Sequence, residues 1–156
     1  MFKTINETDK FRYDDCVINE MIIDSVGISM SVDALIVKGD NSQNSNYTDS
    51  YAGTSQIEMK GASIIKIVKD GYKVYDANDV LIKEIPDEEM DINSEKWNIK
   101  FAGQYLTGIR RSDEETVFEI EMNDEEGFGV GDSFSVYIKC GDISICWEKY
   151  MNRVSY

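Results

Sequence analysis

Carboxyl groups offer this 156-residue chain its greatest potential for chemistry, since it has 30 Asp and Glu residues and no histidine. Adjacent acids occur in three runs, which are Asp14-Asp15, Asp87-Glu88-Glu89 and Asp113-Glu114-Glu115. A glycosidase holds two such groups at a fixed distance across a sugar cleft. Each run here falls at a predicted turn, where solvent keeps carboxylates ionised. The pattern therefore favours a solvated acidic surface over a catalytic pair.

Other catalytic and metal-binding classes lack the residues they need. Without histidine the chain has no Ser-His-Asp or Cys-His nucleophile, no histidine base and no histidine-ligated metal. The acidic run at 123–126 does not follow the alternating Asp pattern of an EF-hand calcium loop. The glycines of 127–131 are not followed by the lysine of a phosphate-binding loop. We therefore expect no enzymatic activity, no cofactor and no metal site.

The three cysteines are expected to be free thiols. Residues 140–143 predict a hairpin with Gly141-Asp142 as its loop, and strand alternation then places Cys140 and Cys146 on opposite faces, which disfavours a disulfide. With Cys16 as an odd third thiol, this usage is typical of a reducing cytoplasm. The polar, acidic first residues are unlike a secretory signal, and no apolar run approaches the roughly 20 residues of a membrane span.

Alternation of apolar and polar residues predicts an all-β, mainly antiparallel fold. It is clearest over residues 28–36, which form a predicted long hairpin with 16–23. Residues 76–79 are predicted to form a further turn, between strands at 72–75 and 80–85. About ten such segments predict one domain over residues 1–156, either a β-sandwich or a flattened barrel. Residues 86–91 look like a helix start, and the fold is predicted to have at most one short helix, which would begin there and end before residue 97. Six aromatic residues on predicted strands are expected in the core: Trp97, Phe101, Tyr105, Phe118, Phe134 and Trp147.

Residues 39–53 are predicted to be a long exposed loop. Ten of the twelve residues from 40 to 51 are Asp, Asn, Gln, Ser or Thr, and none is Leu, Ile, Val, Met or Phe. Loops of this length inside compact domains are usually functional or disordered. Tyr47 and Tyr51 are its candidate binding residues, because tyrosine is enriched in interface hot spots.

The formal net charge of −14 argues against nucleic acid and anionic membrane as partners. Solubility alone would explain such a charge, but it would also attract a basic protein partner and raise the association rate. The candidate contact residues are the two tyrosines named above and nine acids: Asp87, Glu88, Glu89, Asp113, Glu114, Glu115, Asp124, Glu125 and Glu126.

Three segments carry a resemblance: residues 73–89 with their Tyr-Asp-Ala turn and acidic Pro-Asp-Glu stretch, Tyr13-Asp14-Asp15-Cys16, and Ile145-Cys146-Trp147. Together they resemble small acidic β-rich proteins of Gram-positive gut bacteria, some of which are similar to immunity proteins of bacterial toxin systems. The resemblance implies a protein that neutralises a basic toxin domain by protein–protein contact. The residues themselves leave two alternatives open. One is a small-ligand carrier with its site in the sandwich or barrel mouth, and the other is a structural or assembly module.

Overall fold

A computed structural model describes residues 1–113, 115–123 and 131–154 of the chain. They form one 3₁₀ turn at Thr8–Lys10, one α-helix and sixteen strands. The strands are β1 Phe2–Ile5, β2 Phe11–Arg12, β3 Val17–Ile23, β4 Gly27–Asp33, β5 Ile36–Val37, β6 Ser50–Ala52, β7 Ser55–Lys60, β8 Ser63–Lys69, β9 Tyr72–Tyr75, β10 Leu81–Ile85, β11 Glu88–Met90, β12 Tyr105–Ser112, β13 Glu115–Glu121, β14 Ser133–Lys139, β15 Ser144–Trp147 and β16 Tyr150–Arg153, and the helix is α1 Ser94–Phe101.

The strands form three antiparallel sheets, which confirms the all-β prediction. The largest has ten strands in the order β1-β15-β7-β4-β3-β12-β13-β14-β8-β11, and four short strands form a second sheet in the order β16-β6-β5-β2. Strands β9 and β10 pair only with each other among the described residues. In the described part of the large sheet β1 and β11 remain its two ends, so it is not a closed barrel. The prediction of about ten strands is too low, because several two- to four-residue strands are too short to alternate visibly.

A single core joins the two halves of the large sheet. The halves meet at β3 and β12, which are paired only at Val17 and Tyr105. Buried side chains from both halves belong to one hydrophobic cluster, with Ile57 from the first half and Phe134 from the second. Full burial of each such side chain contributes about 1.5–3 kcal/mol. This arrangement is consistent with a β-sandwich.

The predicted hairpin of β3 and β4 is confirmed. Ile18 is paired with Val32, Met21 with Met30 and Ile23 with Ile28. In the turn, Oδ1 of Asp24 accepts the N–H groups of Val26 and Gly27, at 2.9 and 3.1 Å. The alternation predicted to run to residue 36 ends at Asp33, because the following Ala34 has a φ of 60° and turns the chain into the second sheet.

The predicted helix at 86–91 is wrong. Residues Glu88–Met90 form strand β11 and pair with β8, while the helix begins at Ser94. Its N-cap is Asn93, whose Oδ1 accepts the N–H of Lys96 at 3.3 Å. The helix includes Trp97 and Phe101, which were predicted on a strand. Both are buried, with their rings stacked 5.0 Å apart. No described helix is long and apolar enough to cross a bilayer.

Two further predictions are wrong, one about the hairpin around Cys140 and one about the burial of Tyr105. The hairpin predicted around Cys140 does not form: β14 pairs with β13 and β8, whereas β15 pairs with β1 and β7. Ile143 instead donates its N–H to Oδ1 of Asn6, at 2.9 Å, which ties the segment to the N-terminal strand. Tyr105 is 40% exposed and does not belong to the core, unlike the other five aromatic residues expected there.

The thiols of all three cysteines are free, as predicted. Cys16 and Cys140 are buried, and burial raises the pKa of Cys16 to about 12. Cys146 is half-buried and its side chain faces away from the core that buries Ile145 and Trp147. The expected alternation of faces therefore holds although the expected strand pairing does not.

Candidate functional site

A hairpin extends beyond the edge of the large sheet. Lys69 of β8 is paired with Glu88 of β11, and Tyr72 of β9 is paired with Ile85 of β10. From the first pair to the second, one strand advances by three residues and the other goes back by three. Both pairs therefore belong to one continuous antiparallel register. The ribbon that starts at the sheet edge therefore continues past it. We call residues 72–85 of this ribbon the arm.

The base of the arm is fixed by Gly71, Pro86 and Asp87. The N–H of Gly71 donates to Oδ1 of Asp87 at 2.6 Å. A Cβ at position 71 would lie 2.2 Å from the carbonyl oxygen of Ile85, so only glycine allows the two strands to approach this closely here. Pro86 has no N–H to offer to a ladder. Sheet pairing is therefore interrupted at the base and resumes in the arm.

Apolar side chains of the arm are exposed to solvent. Six of them are between 38% and 65% exposed: Tyr72, Val74, Tyr75, Val80, Leu81 and Ile82. An isolated two-stranded hairpin is marginally stable in water, and monomers rarely leave such a concentration of apolar surface uncovered. The arm therefore has the composition of a contact surface rather than of a solvated turn.

Both faces of the arm carry apolar groups. Tyr75 is opposite Leu81, and these side chains share a face with the pair of Lys73 and Glu84. Tyr72 and Val74 lie on the other face. An extra residue in β10, Ile82, interrupts the register between Leu81 and Lys83 as a bulge. A partner could contact either face without any rearrangement of the core.

Negative charge is concentrated around the arm. Residues 70–91 include eight acidic and two basic side chains, a formal charge of −6 within a chain of −14. The ion pair of Lys73 and Glu84 has an N–O distance of 3.8 Å and is exposed, so it contributes little. The apolar surface of the arm is therefore surrounded by an acidic field.

A partly buried hydrogen bond lies next to the arm. Both carboxyl oxygens of Asp70 lie near Oγ of Ser135, at 2.8 and 3.1 Å. Partial burial raises the pKa of Asp70, the hydroxyl of Ser135 opposes that rise, and the nearby carboxylate of Asp87 adds to it. The pair has no neighbouring histidine to act as a base, and it serves to hold the start of the arm against β14.

The structure separates the acidic residues proposed from the sequence. Asp87 holds the base of the arm, and Glu88 and Glu89 lie on β11, the edge strand beside it. Asp113 and Glu115 lie at the start of β13, where Glu115 is paired with Lys139. This is the end of β13 farther from the arm, because its other end is paired with Ser133, next to Asp70. The remaining candidates, Glu114, Asp124, Glu125 and Glu126, lie outside the described residues. The described candidates therefore do not form one surface.

The two candidate tyrosines have different environments. Tyr47 is 91% exposed and has a φ of 59°. Tyr51 is half-buried on β6, and its hydroxyl donates to Oδ2 of Asp15 at 2.9 Å. This hydrogen bond raises the pKa of Tyr51. Tyr47 is therefore free to contact a partner, whereas Tyr51 also belongs to the fold.

Residues 39–53 are not the long exposed loop that was predicted, because polar side chains hold the segment together and Ser50–Ala52 form strand β6. Nδ2 of Asn44 donates to the carbonyl groups of Val37, Lys38 and Thr48, and its Oδ1 accepts the N–H of Asn46. Asn44 is only 8% exposed. Amide hydrogen bonds replace the aliphatic packing that this segment lacks.

Depressions elsewhere on the described surface are shallow and open. One is lined by residues that include Tyr51, Lys149 and Met151, and another by Asp24, Val26 and Met59. The interior is filled by the core cluster, so no observation specifically favours a carrier with its ligand inside the sandwich. Within the described ranges, no three Cys, Asp or Glu side chains come together as a metal site.

Comparison of this chain with protein-family models, with curated proteins and with solved structures finds no match. The candidate site therefore depends on its geometry alone. The sequence predicts the hairpin but did not lead us to expect that its apolar side chains are exposed. The signal was the run Val80-Leu81-Ile82, because three consecutive apolar residues do not fit the two-residue period of a half-buried strand.

Proposed function

We propose that this chain is a non-enzymatic binding protein whose arm contacts a basic protein. The observation that supports this most strongly is the exposed apolar surface of the arm, which no described element of the chain covers. Apolar and aromatic side chains supply most of the affinity of protein interfaces, while charge mainly sets partner choice and association rate. The arm and its base combine both, since the arm has apolar groups on each face and residues 70–91, which include it, have a formal charge of −6.

In its most concrete form, the proposal is an immunity protein that neutralises a basic toxin domain. The sequence resemblance and the absence of histidine support this form. An inhibitor of this kind needs no catalytic groups, because it acts by covering a surface of its target. The free thiols agree with the cytoplasmic location that such a role implies.

The test is calorimetric titration of the purified chain against basic toxin domains encoded beside its gene. We expect binding that weakens between about 50 mM and about 300 mM NaCl, because salt screens the acidic field. The double variant Tyr75→Ala/Leu81→Ala should weaken binding by roughly 10- to 100-fold, since it removes one cross-strand pair of contact residues. Both side chains are exposed, so the fold should be unaffected.

Ile99→Ala is the matched control, because Ile99 is an apolar residue of α1 that is 79% exposed and distant in sequence from the arm. It should bind like the unmodified chain. The proposal is wrong if no basic domain binds, or if the double variant and Ile99→Ala bind with the same affinity. Self-association through the arm, seen by size-exclusion chromatography, would favour an assembly module instead.

A further inference from the structure

We infer that the outer edge of β9 is a receptor for an extended basic segment of the partner, which would add to the arm as a third strand. This inference rests on the proposed function and specifies how the partner is bound. Strand addition uses backbone hydrogen bonds for affinity and alternate side chains for specificity. Three features support it: backbone groups of the arm that pair with no described strand, a regular edge, and the charge of the arm and its base.

Backbone N–H and C=O groups of β9 point away from its partner strand β10. Asp76 donates its N–H to the carbonyl of Val80 at 2.9 Å, so this pair is hydrogen-bonded across the hairpin. In an antiparallel ladder, residues alternate between facing the neighbouring strand and facing away from it. The N–H and C=O of Tyr75 therefore face away from β10, and those of Lys73 do the same two residues earlier. No described strand is paired with this edge.

The two edges of the arm differ in regularity. Strand β9 has four consecutive residues without a bulge, whereas β10 has the extra residue Ile82 and is followed by Pro86. A bulge disrupts a ladder, and proline removes a donor. Strand β11 is open too, but it has only three residues, two of them glutamates, which is typical of an edge protected against pairing. The edge of β9 is therefore the better template for an added strand.

Charge identifies the occupant. An added strand would lie beside the arm, which has three acidic and two basic side chains, and close to its base, where five further acids lie: Asp70, Asp87, Glu88, Glu89 and Asp91. Lys or Arg at alternate positions would meet these carboxylates on one face of the arm. The apolar residues between them would cover the other face, which holds either Tyr72 and Val74 or Tyr75. A second copy of this chain brings a net charge of −14 of its own and is disfavoured. The occupant is a basic segment with alternating apolar residues.

The experiment uses random peptides of about nine residues displayed on phage, a length typical of a long strand. They are selected on the immobilised full chain, and enriched peptides are synthesised with a fluorophore for anisotropy measurements. We expect peptides rich in Lys and Arg with apolar residues at every second position. Peptides without a basic preference would contradict the inference, as would a selection that enriches none.

Two variants at position 73 distinguish the contribution of the backbone N–H to binding from that of the side chain. Lys73→Pro removes an outward N–H while leaving the ladder with β10 intact, since proline is tolerated where an edge N–H faces solvent. Lys73→Ala removes the same side chain and keeps the N–H. We expect Lys73→Pro to bind the peptides about tenfold more weakly than Lys73→Ala, which corresponds to one net backbone hydrogen bond. Equal affinities would overturn strand addition.

Hydrogen exchange gives a second readout that does not depend on the proline variant. In the unmodified chain, bound peptide should slow exchange of the Lys73 and Tyr75 amides by at least about tenfold, because these donors become bonded. Unchanged exchange at both amides refutes the inference. If basic toxin domains bind through Tyr75 and Leu81 but treat the two Lys73 variants alike, the proposed function stands and strand addition fails. If Lys73→Pro disrupts a dimer of the chain, the occupant is a second copy and the inference is wrong.

Discussion

Asn44→Ala should destabilise the protein more than any other single change in the loop of residues 39–53. The side chain of Asn44 makes four hydrogen-bond contacts with the backbone, at 2.8 to 3.1 Å, and is 8% exposed. Because Nδ2 has two hydrogens for its three carbonyl contacts, these count as three full bonds, and up to about 1.5 kcal/mol for each gives an upper value of about 4.5 kcal/mol. Water can reach some of the released groups at the loop surface. We therefore expect a loss of about 3 kcal/mol in the free energy of unfolding.

Urea unfolding followed by tryptophan fluorescence measures this loss, and thermal unfolding should show a decrease of about 9 °C in Tm for a chain of this size. Asn46→Ala is the matched control, because the amide of Asn46 makes only one long bond, 3.4 Å to Oγ of Ser50. It should cost less than about 0.5 kcal/mol. If the two variants lose the same free energy, or if Asn44→Ala loses less than about 1 kcal/mol, the loop is not held by Asn44 and our reasoning fails.

Three further predictions concern the loop tyrosines, the helix and the carboxyl group beside the arm. Tyr47→Ala should leave the melting temperature unchanged, whereas Tyr51→Ala should lower it through loss of the bond to Asp15. If the loop is a recognition site, each change weakens partner binding by about 1–3 kcal/mol, and variants that both bind as tightly as the unmodified chain would exclude that role. Asn93→Ala should lower the free energy of unfolding in urea by about 1 kcal/mol through loss of the helix cap, whereas Asn93→Asp should keep most of that free energy. Equal losses of free energy in the two variants would contradict a capping role for Asn93. Because the pKa of Asp70 is raised in the folded protein, its ionisation destabilises the fold at neutral pH, and this destabilisation disappears as the pH falls below the ordinary Asp value of about 3.9. Asp70→Asn should therefore unfold at a higher temperature than the unmodified chain at pH 7, with the difference in Tm narrowing on acidification. A difference in Tm that stays the same as the pH falls below about 3.9 would rule out the effect.

Features that depend on neighbours in the chain were predictable from the sequence. Alternating residues and turn chemistry located the hairpin of β3 and β4 and that of β9 and β10, with the second turn at residues 76–79. Asp24 and Asp76 each accept turn N–H groups within four residues, so these turns are specified locally. The polar loop and its two tyrosines were also found, because their composition alone marks them.

Long-range pairing decided what the sequence left open. Residues 86–91 have the composition of a helix start, but Glu88–Met90 gain a ladder with β8, which is about twenty residues earlier in the chain. Residues 140–143 resemble a hairpin loop, yet Asn6 binds Ile143 from the other end of the chain. Local preferences of this kind are worth fractions of a kcal/mol per residue and yield to tertiary contacts.

The candidate site depends on the same distinction. Alternation reports which residues share a face of a strand, but it does not report whether another element covers that face. The sequence identified strands β9 and β10, while only the tertiary structure showed that their ribbon continues past the sheet edge with its apolar side chains uncovered. It also placed Asp87 at the base of this arm and Asp113 at the far end of β13, because sheet registry sets the distance between acids that composition alone groups together.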